Sequence, residues 1–75
     1  MSKLPIVSGR QAIKVLEEFE FRVDRIKGSH SVMVKDGHPA LVTVPFAQRT
    51  KRGTLRGIIR DAGITVDEFA AKLRQ

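Results

Sequence analysis

Gly28-Ser29-His30 is the stretch whose residue types best suit acid–base chemistry. It lies between two runs that alternate as strands do, so His30 is predicted to follow a tight turn. An imidazole gives or takes a proton near neutral pH. Gly28 permits a positive φ, and successive backbone N–H groups around Gly28 and Ser29 can bind an anion. The stretch therefore predicts an imidazole placed beside a phosphate.

Basic residues surround this turn in the sequence. Arg25 and Lys27 precede it and Lys35 follows it, while a second basic loop contains Arg49, Lys51 and Arg52. That loop precedes a predicted helix, and both cations and a helix N-terminus attract phosphate groups. His30 is then the general base or acid, and Lys27, Lys35 and the loop with Arg49, Lys51 and Arg52 position phosphates. This set suits cleavage of RNA by its own 2′-hydroxyl. Such a reaction needs no metal ion.

A purely structural interpretation of the same residues stays open. A hairpin turn with a surface histidine also explains Gly28-Ser29-His30, and a solvated loop also explains the cations. The second histidine, His38, precedes Pro39 in a turn and is interpreted as a loop residue without a role. Neither histidine has a carboxylate at ligand spacing and the chain has no cysteine, so no metal site is expected. No Walker motif or nucleophile elbow indicates a small-molecule cofactor.

The composition favours a small globular protein with a polyanionic partner. The 75 residues predict a single domain over residues 1–75, and 41% of them are hydrophobic. The net charge of +6 favours nucleic acid, an anionic surface or an acidic protein as partner. No apolar run approaches the ~20 residues of a membrane span, and the N-terminal residues do not form a signal peptide. A cytoplasmic protein with no membrane partner is expected.

Helices are predicted at both ends of the chain. Ser8 and Gln11 form a capping box that starts a helix over residues 9–19, after an extended lead-in over residues 1–7. Near the C-terminus, Thr54 is predicted to cap a helix through residue 62 that ends at Gly63 in a left-handed conformation. Thr65 begins a final helix with a second capping box.

Three strands are predicted between these helices, over residues 21–27, 30–35 and 40–44. In the first, Phe21 and Val23 are expected on one face and Arg22 and Asp24 on the other. The resulting order, α-β-β-β-α-α, indicates an α+β fold in which helices cover one face of a three-stranded antiparallel sheet. The segment from residue 31 to 35 is apolar on both sides, so the face that carries His30 stays undetermined.

Three separated stretches resemble the HicA toxins of bacterial type II toxin–antitoxin systems. The first ends the opening helix with Glu18-Phe19-Glu20-Phe21 and continues to Arg25-Ile26-Lys27-Gly28-Ser29-His30; the second is Val42-Thr43-Val44-Pro45; the third is Arg52-Gly53-Thr54-Leu55-Arg56-Gly57-Ile58-Ile59-Arg60-Asp61-Ala62-Gly63-Ile64, followed by Glu68-Phe69. Their order and spacing extend over nearly the whole chain.

The resemblance implies a double-stranded-RNA-binding-domain-like fold and a ribosome-independent endoribonuclease that cuts mRNA, with His30 as the catalytic residue. It also implies a HicB-type antitoxin, acidic over the surface that covers this histidine. One position departs from the family, which often has a second histidine two residues after the proline of the second stretch. Ala47 occupies that position here. Three expectations stay open: Lys51, Arg52 or Arg49 replaces the histidine, the activity is weaker, or the second histidine is dispensable.

Two other functions remain as alternatives. In the first, the chain is a non-catalytic RNA-binding module that uses the same basic face. In the second, it is a basic docking domain for an acidic protein partner. Only the toxin is expected to produce new RNA ends.

Overall fold

Six elements follow one another along residues 4–74, the part of the chain that the computed structural model describes. They are α1 (Gly9–Glu18), β1 (Arg22–Lys27), β2 (His30–Val34), β3 (Val42–Pro45), α2 (Arg52–Ala62) and α3 (Val66–Leu73). The strands form one antiparallel sheet in the order β1-β2-β3. This confirms the predicted α-β-β-β-α-α order and is consistent with the double-stranded-RNA-binding-domain-like fold. The predicted lead-in is described only from residue 4 onward; residues 1–3 and residue 75 lie outside the described range.

The helices cover one face of the sheet, where α1 and α2 contact β3 and α3 packs against both of these helices. On that face Ser31 and Met33 of β2 and Val42 and Val44 of β3 are completely buried. They join a core that the helices complete with apolar side chains, among them Ala12, Leu16, Leu55, Ile58, Ile59 and Phe69. Because successive strand residues point to opposite faces, His30 lies on the other, open face of the sheet. The structure thus decides the orientation that the sequence pattern left undetermined.

The helix ends follow the predicted capping chemistry at three of four places. Ser8 and Thr65 each form a complete capping box, and Gly63 ends α2 with a φ of 74°. The predicted cap at Thr54 is wrong, because α2 begins at Arg52 with Lys51 as N-cap. The Leu55 amide donates to the Lys51 carbonyl. The first turn of α2 therefore begins before Thr54, which lies inside the helix and not at its N-cap.

A β-bulge in β1 changes the predicted alternation. Val23 pairs with Met33 and shares its face, as expected, although it is 40% exposed at the edge of the sheet. The register then shifts between Val23 and Arg25, because a bulge places an extra residue opposite its partner strand. Arg25 consequently pairs with Val32 and lies on the open face, where an unbroken alternation would have placed it on the helix side.

Candidate active site

His30 is the first residue of β2 and lies between two neighbouring strands. Its cross-strand partners are Lys27 on β1 and Pro45 on β3, and its side chain is exposed. Directly paired residues have Cβ atoms about 5 Å apart and share one face of the sheet. Lys27 and His30 therefore present an amine and an imidazole side by side at one end of the open face.

A two-residue turn holds these two side chains together. Gly28 and Ser29 connect Lys27 to His30, and Gly28 has a φ of 60°. A glycine with positive φ at the first central position is typical of the type II′ hairpin turn, which matches the twist of the flanking strands. Both turn residues are exposed, so their backbone is accessible from solvent.

A groove of about 460 Å³ runs along the open face beside His30. It is lined by Arg25, Lys27, His30, Val32, Leu41 and Thr43. Sequence reasoning named Arg25 only as a neighbour of the turn, and it missed Leu41 and Thr43 as site residues. The sequence does indicate the orientation of Thr43, because it lies between two valines of a strand and so points to the face opposite theirs. Arg25 had no such signal, because the bulge that turns it to this face leaves no mark in the sequence.

In the part of the chain that the structure describes, carboxylates do not neutralise the charge of the groove. Within residues 4–74 the ion pairs are Arg22 with Asp36 and Arg60 with Asp61. Arg25 and Lys27 take part in neither pair, and none of the described acidic side chains lines the groove. Two cations next to an exposed imidazole make this end of the sheet attractive to a phosphate.

The second basic loop starts at the same end of the sheet, because it directly follows Pro45. Its backbone is held to the start of α1: the Thr50 amide donates to the Val7 carbonyl at 2.7 Å, and the Gly9 amide donates to the Ala47 carbonyl at 2.8 Å. The side chains of Arg49, Lys51 and Arg52 are exposed. The first turn of α2 has neither a side-chain cap nor an acidic residue, so its N–H groups add to the positive potential of the loop.

A family model for the HicA toxin of bacterial toxin–antitoxin systems matches residues 9–64, from the first residue of α1 to just beyond α2. The chain belongs to the HicA toxin family. The match confirms the resemblance drawn from the three stretches, and it makes this protein a toxin whose partner is an antitoxin. No curated protein resembles the chain closely enough to count as a match.

Lys35, a predicted RNA-binding residue of this HicA-family toxin, lies away from the groove, and so does His38, which was predicted to have no role. Lys35 follows the far end of β2, five residues from His30 and thus about 16 Å along the strand. Its Nζ atom lies 5.6 Å from the centre of the Phe21 ring. His38 packs edge-on against the same ring, and its Nε2 atom lies 2.6 Å from the Asp61 carbonyl oxygen. His38 therefore connects the turn after β2 to the end of α2.

Ala47, at the position where the family often has histidine, lies two residues beyond the cross-strand partner of His30. It lines a shallow depression of about 240 Å³ together with Ser8, Arg10, Phe46 and Gln48. Arg49 is the cation nearest to Ala47 along the chain. Arg10 is the cation that lines the same depression.

Within the described residues, no group of three or more histidine, aspartate or glutamate side chains is arranged to bind a metal ion. No helix among residues 4–74 has the length and apolar character needed to span a membrane.

Proposed function

We propose that this HicA-family toxin is a metal-independent endoribonuclease that cleaves mRNA with His30 as its general base. The observation that carries the proposal is the pairing of Lys27 with His30 across the hairpin. This pairing puts an exposed imidazole beside a cation that has no ion-pair partner among residues 4–74, in a groove that no carboxylate of those residues lines. An imidazole so placed is accessible to RNA and lies next to a charge that holds its phosphate.

The reaction proceeds by transesterification within the RNA. His30 removes the proton of a 2′-hydroxyl, and the resulting oxygen attacks the adjacent phosphorus. The bond from phosphorus to the 5′-oxygen breaks, and that oxygen takes a proton from water or from the protonated imidazole. The products are a 2′,3′-cyclic phosphate and a new 5′-hydroxyl end. General base catalysis of this kind contributes about 10²- to 10⁴-fold in rate.

The cations have separate parts in this scheme. Lys27 and Arg25 contact the scissile phosphate and stabilise the charge that develops on it. The exposed backbone of Gly28 and Ser29 offers N–H groups to the same phosphate. Flanking phosphates bind the loop that carries Arg49, Lys51 and Arg52. Lys35 is too distant to contact the same phosphate, and we assign it long-range attraction of the RNA strand only.

The antitoxin partner is, in this proposal, a HicB-type protein with an acidic surface. It neutralises the toxin by covering His30 and the basic groove, which keeps RNA from the imidazole. The site of action is the cytoplasm, where mRNA is available.

The decisive experiment compares the purified toxin with His30→Ala on a single-stranded RNA in the presence of EDTA. We expect the variant to cleave at least about 100-fold more slowly and to keep its melting temperature, since the His30 side chain is exposed. His38→Gln is the matched control, because it changes the other histidine, which lies outside the groove.

Undiminished cleavage by His30→Ala would remove this residue from the mechanism. A wild-type protein that binds RNA without producing new ends would instead be the RNA-binding module. One that ignores RNA at physiological salt yet binds an acidic partner tightly would be the docking domain.

A further inference from the structure

Val32 forms an apolar floor in the groove beside His30. It is only 6% exposed, yet it lies on the open face and is not part of the core under the helices. Its cross-strand partners are Arg25 on β1 and Thr43 on β3, so these neighbours shield it from solvent. Leu41, just before β3, lines the same groove and is 56% exposed.

The two walls of the groove differ in chemistry. The β1 wall carries the cations Arg25 and Lys27, whereas the β3 side carries the apolar Leu41 and the hydroxyl of Thr43. None of the hydrogen bonds among residues 4–74 occupies that hydroxyl. His30 lies at the end of the groove, next to Lys27. A ligand that fits this arrangement has an anionic group, a flat apolar face and a polar edge.

We propose that the groove is a nucleobase subsite for single-stranded RNA, a proposal that rests on the endoribonuclease function proposed above. The scissile phosphate lies against Lys27 and Arg25, and the base next to it leaves the stack and lies against the exposed Leu41, above the Val32 floor. The Thr43 hydroxyl forms a hydrogen bond with the edge of that base, since a hydroxyl both donates and accepts. Thr43 and Leu41 thereby determine which phosphodiesters the toxin cuts.

This assignment limits the substrate to unpaired RNA. In an A-form duplex the faces of the bases are covered by stacking and their major-groove edges lie in a deep, narrow groove that side chains do not read, whereas bases of single strands can turn outward. The volume of about 460 Å³ lies in the range of small-ligand sites. The sheet face therefore favours a single nucleotide unit over a duplex, although the fold is like that of double-stranded-RNA-binding domains.

The first test uses the unaltered toxin and a synthetic RNA. Two altered versions of the RNA are compared with the original. In one, the nucleotide on the 5′ side of a strongly cut bond is abasic; in the other, the nucleotide on its 3′ side is abasic. We expect one of the two replacements to slow cleavage of that bond about tenfold or more, while cleavage at distant bonds stays constant. Equal rates on all versions would overturn the subsite and leave the ribonuclease proposal intact.

The second test changes the protein. Thr43→Val keeps the β-branched shape and removes the hydroxyl, and Leu41→Ala truncates an exposed side chain. Both are expected to redistribute the cut positions on a mixed-sequence RNA and to make the abasic substitution harmless. The control is Ile6→Ala, which truncates an exposed isoleucine before α1 that does not line the groove.

Unchanged cut positions in both groove variants would refute the subsite. If those variants instead lose affinity for the antitoxin alone, the apolar side of the groove is a protein-docking surface, and the base subsite is wrong. Failure of the wild-type toxin to cut any RNA would refute the ribonuclease proposal itself, a result that the cut-position maps distinguish from failure of the subsite.

Discussion

The Ser29 carbonyl accepts a hydrogen bond from the Phe46 amide at 2.8 Å. This bond connects the turn before His30 to the segment that leaves β3. The next pair along, His30 and Pro45, are direct cross-strand partners. Two stretches far apart in the sequence thus meet through backbone contacts, and the position of His30 relative to the second basic loop depends on main-chain geometry.

Replacing Phe46 by proline tests this connection. Phe46→Pro removes the donor, whereas Phe46→Ala removes the side chain and keeps the N–H group. We expect the proline variant to lose about 1 kcal/mol more unfolding free energy than the alanine variant, the usual net contribution of one hydrogen bond. Urea denaturation measures the difference, and equal midpoints would show that the bond contributes nothing.

Gly9 is expected to tolerate no side chain. A Cβ atom there would clash with the Pro45 carbonyl oxygen and lie 3.2 Å from the Ala47 nitrogen, both backbone atoms that cannot rotate away. Gly9→Ala should therefore lower the unfolding free energy by about 1–3 kcal/mol. Gly53→Ala is the matched control, because no atom lies within 4 Å of its added Cβ. It should be neutral or stabilise α2 by up to about 1 kcal/mol. A Gly9→Ala variant as stable as Gly53→Ala would contradict the packing described here.

His38 is expected to matter for stability and not for catalysis. His38→Ala removes the contact with the Asp61 carbonyl and the edge-on contact with Phe21, so the unfolding free energy should fall by about 1–2 kcal/mol. Cleavage per folded molecule should stay at the wild-type level, the reverse of the pattern expected for His30→Ala. Thermal denaturation and an initial-rate assay on the same preparations check both parts. A loss of rate without a loss of stability would give His38 a role in the reaction.

The Ser31 hydroxyl is completely buried and has no hydrogen-bond partner among the described residues. An unpaired buried hydroxyl costs about 1–3 kcal/mol, and alanine fits the same space. Ser31→Ala is therefore expected to raise the unfolding free energy by about 1 kcal/mol and to leave cleavage by the adjacent His30 unchanged. A decrease in the urea midpoint would reveal a hydrogen bond that this residue makes in solution.

The groove cations are expected to determine the salt dependence of RNA binding. In a His30→Ala background, which does not consume the RNA, Lys27→Gln or Arg25→Gln should each reduce the slope of log affinity against log salt by about 0.7, the value for one phosphate contact on a single strand. Lys14→Gln is the control, because Lys14 lies on α1 near α3, on the helix side of the molecule. Binding titrations at several salt concentrations give the slopes. Equal slopes for all three variants would place the RNA elsewhere.

The sequence by itself determined the elements and most of their ends. Capping boxes at Ser8 and Thr65 and the left-handed stop at Gly63 are local, since each depends on residues within a few positions. The alternating valines around Thr43 and the glycine turn before His30 are local in the same way. Thr54 misled, because α2 is continued backwards to Arg52 by backbone bonds that favour no particular residue type. The third strand, predicted over residues 40–44, was also misplaced at its ends, since it begins at Val42 and includes Pro45. The three family stretches identified the toxin family for the same reason, since residue types and spacing are properties of the chain alone.

The tertiary structure decided which side chains share a surface. One bulge between Val23 and Arg25 turns Arg25 and Lys27 to the open face, and a register shift of a single residue reverses the face of every residue that follows it. The helices cover Ser31 and Met33, and His30 therefore lies on the opposite, open face together with Arg25 and Lys27. Lys35 lies at the other end of β2 from His30, because the strand runs away from the turn. Such outcomes depend on contacts between distant segments, so no local pattern in the chain predicts them.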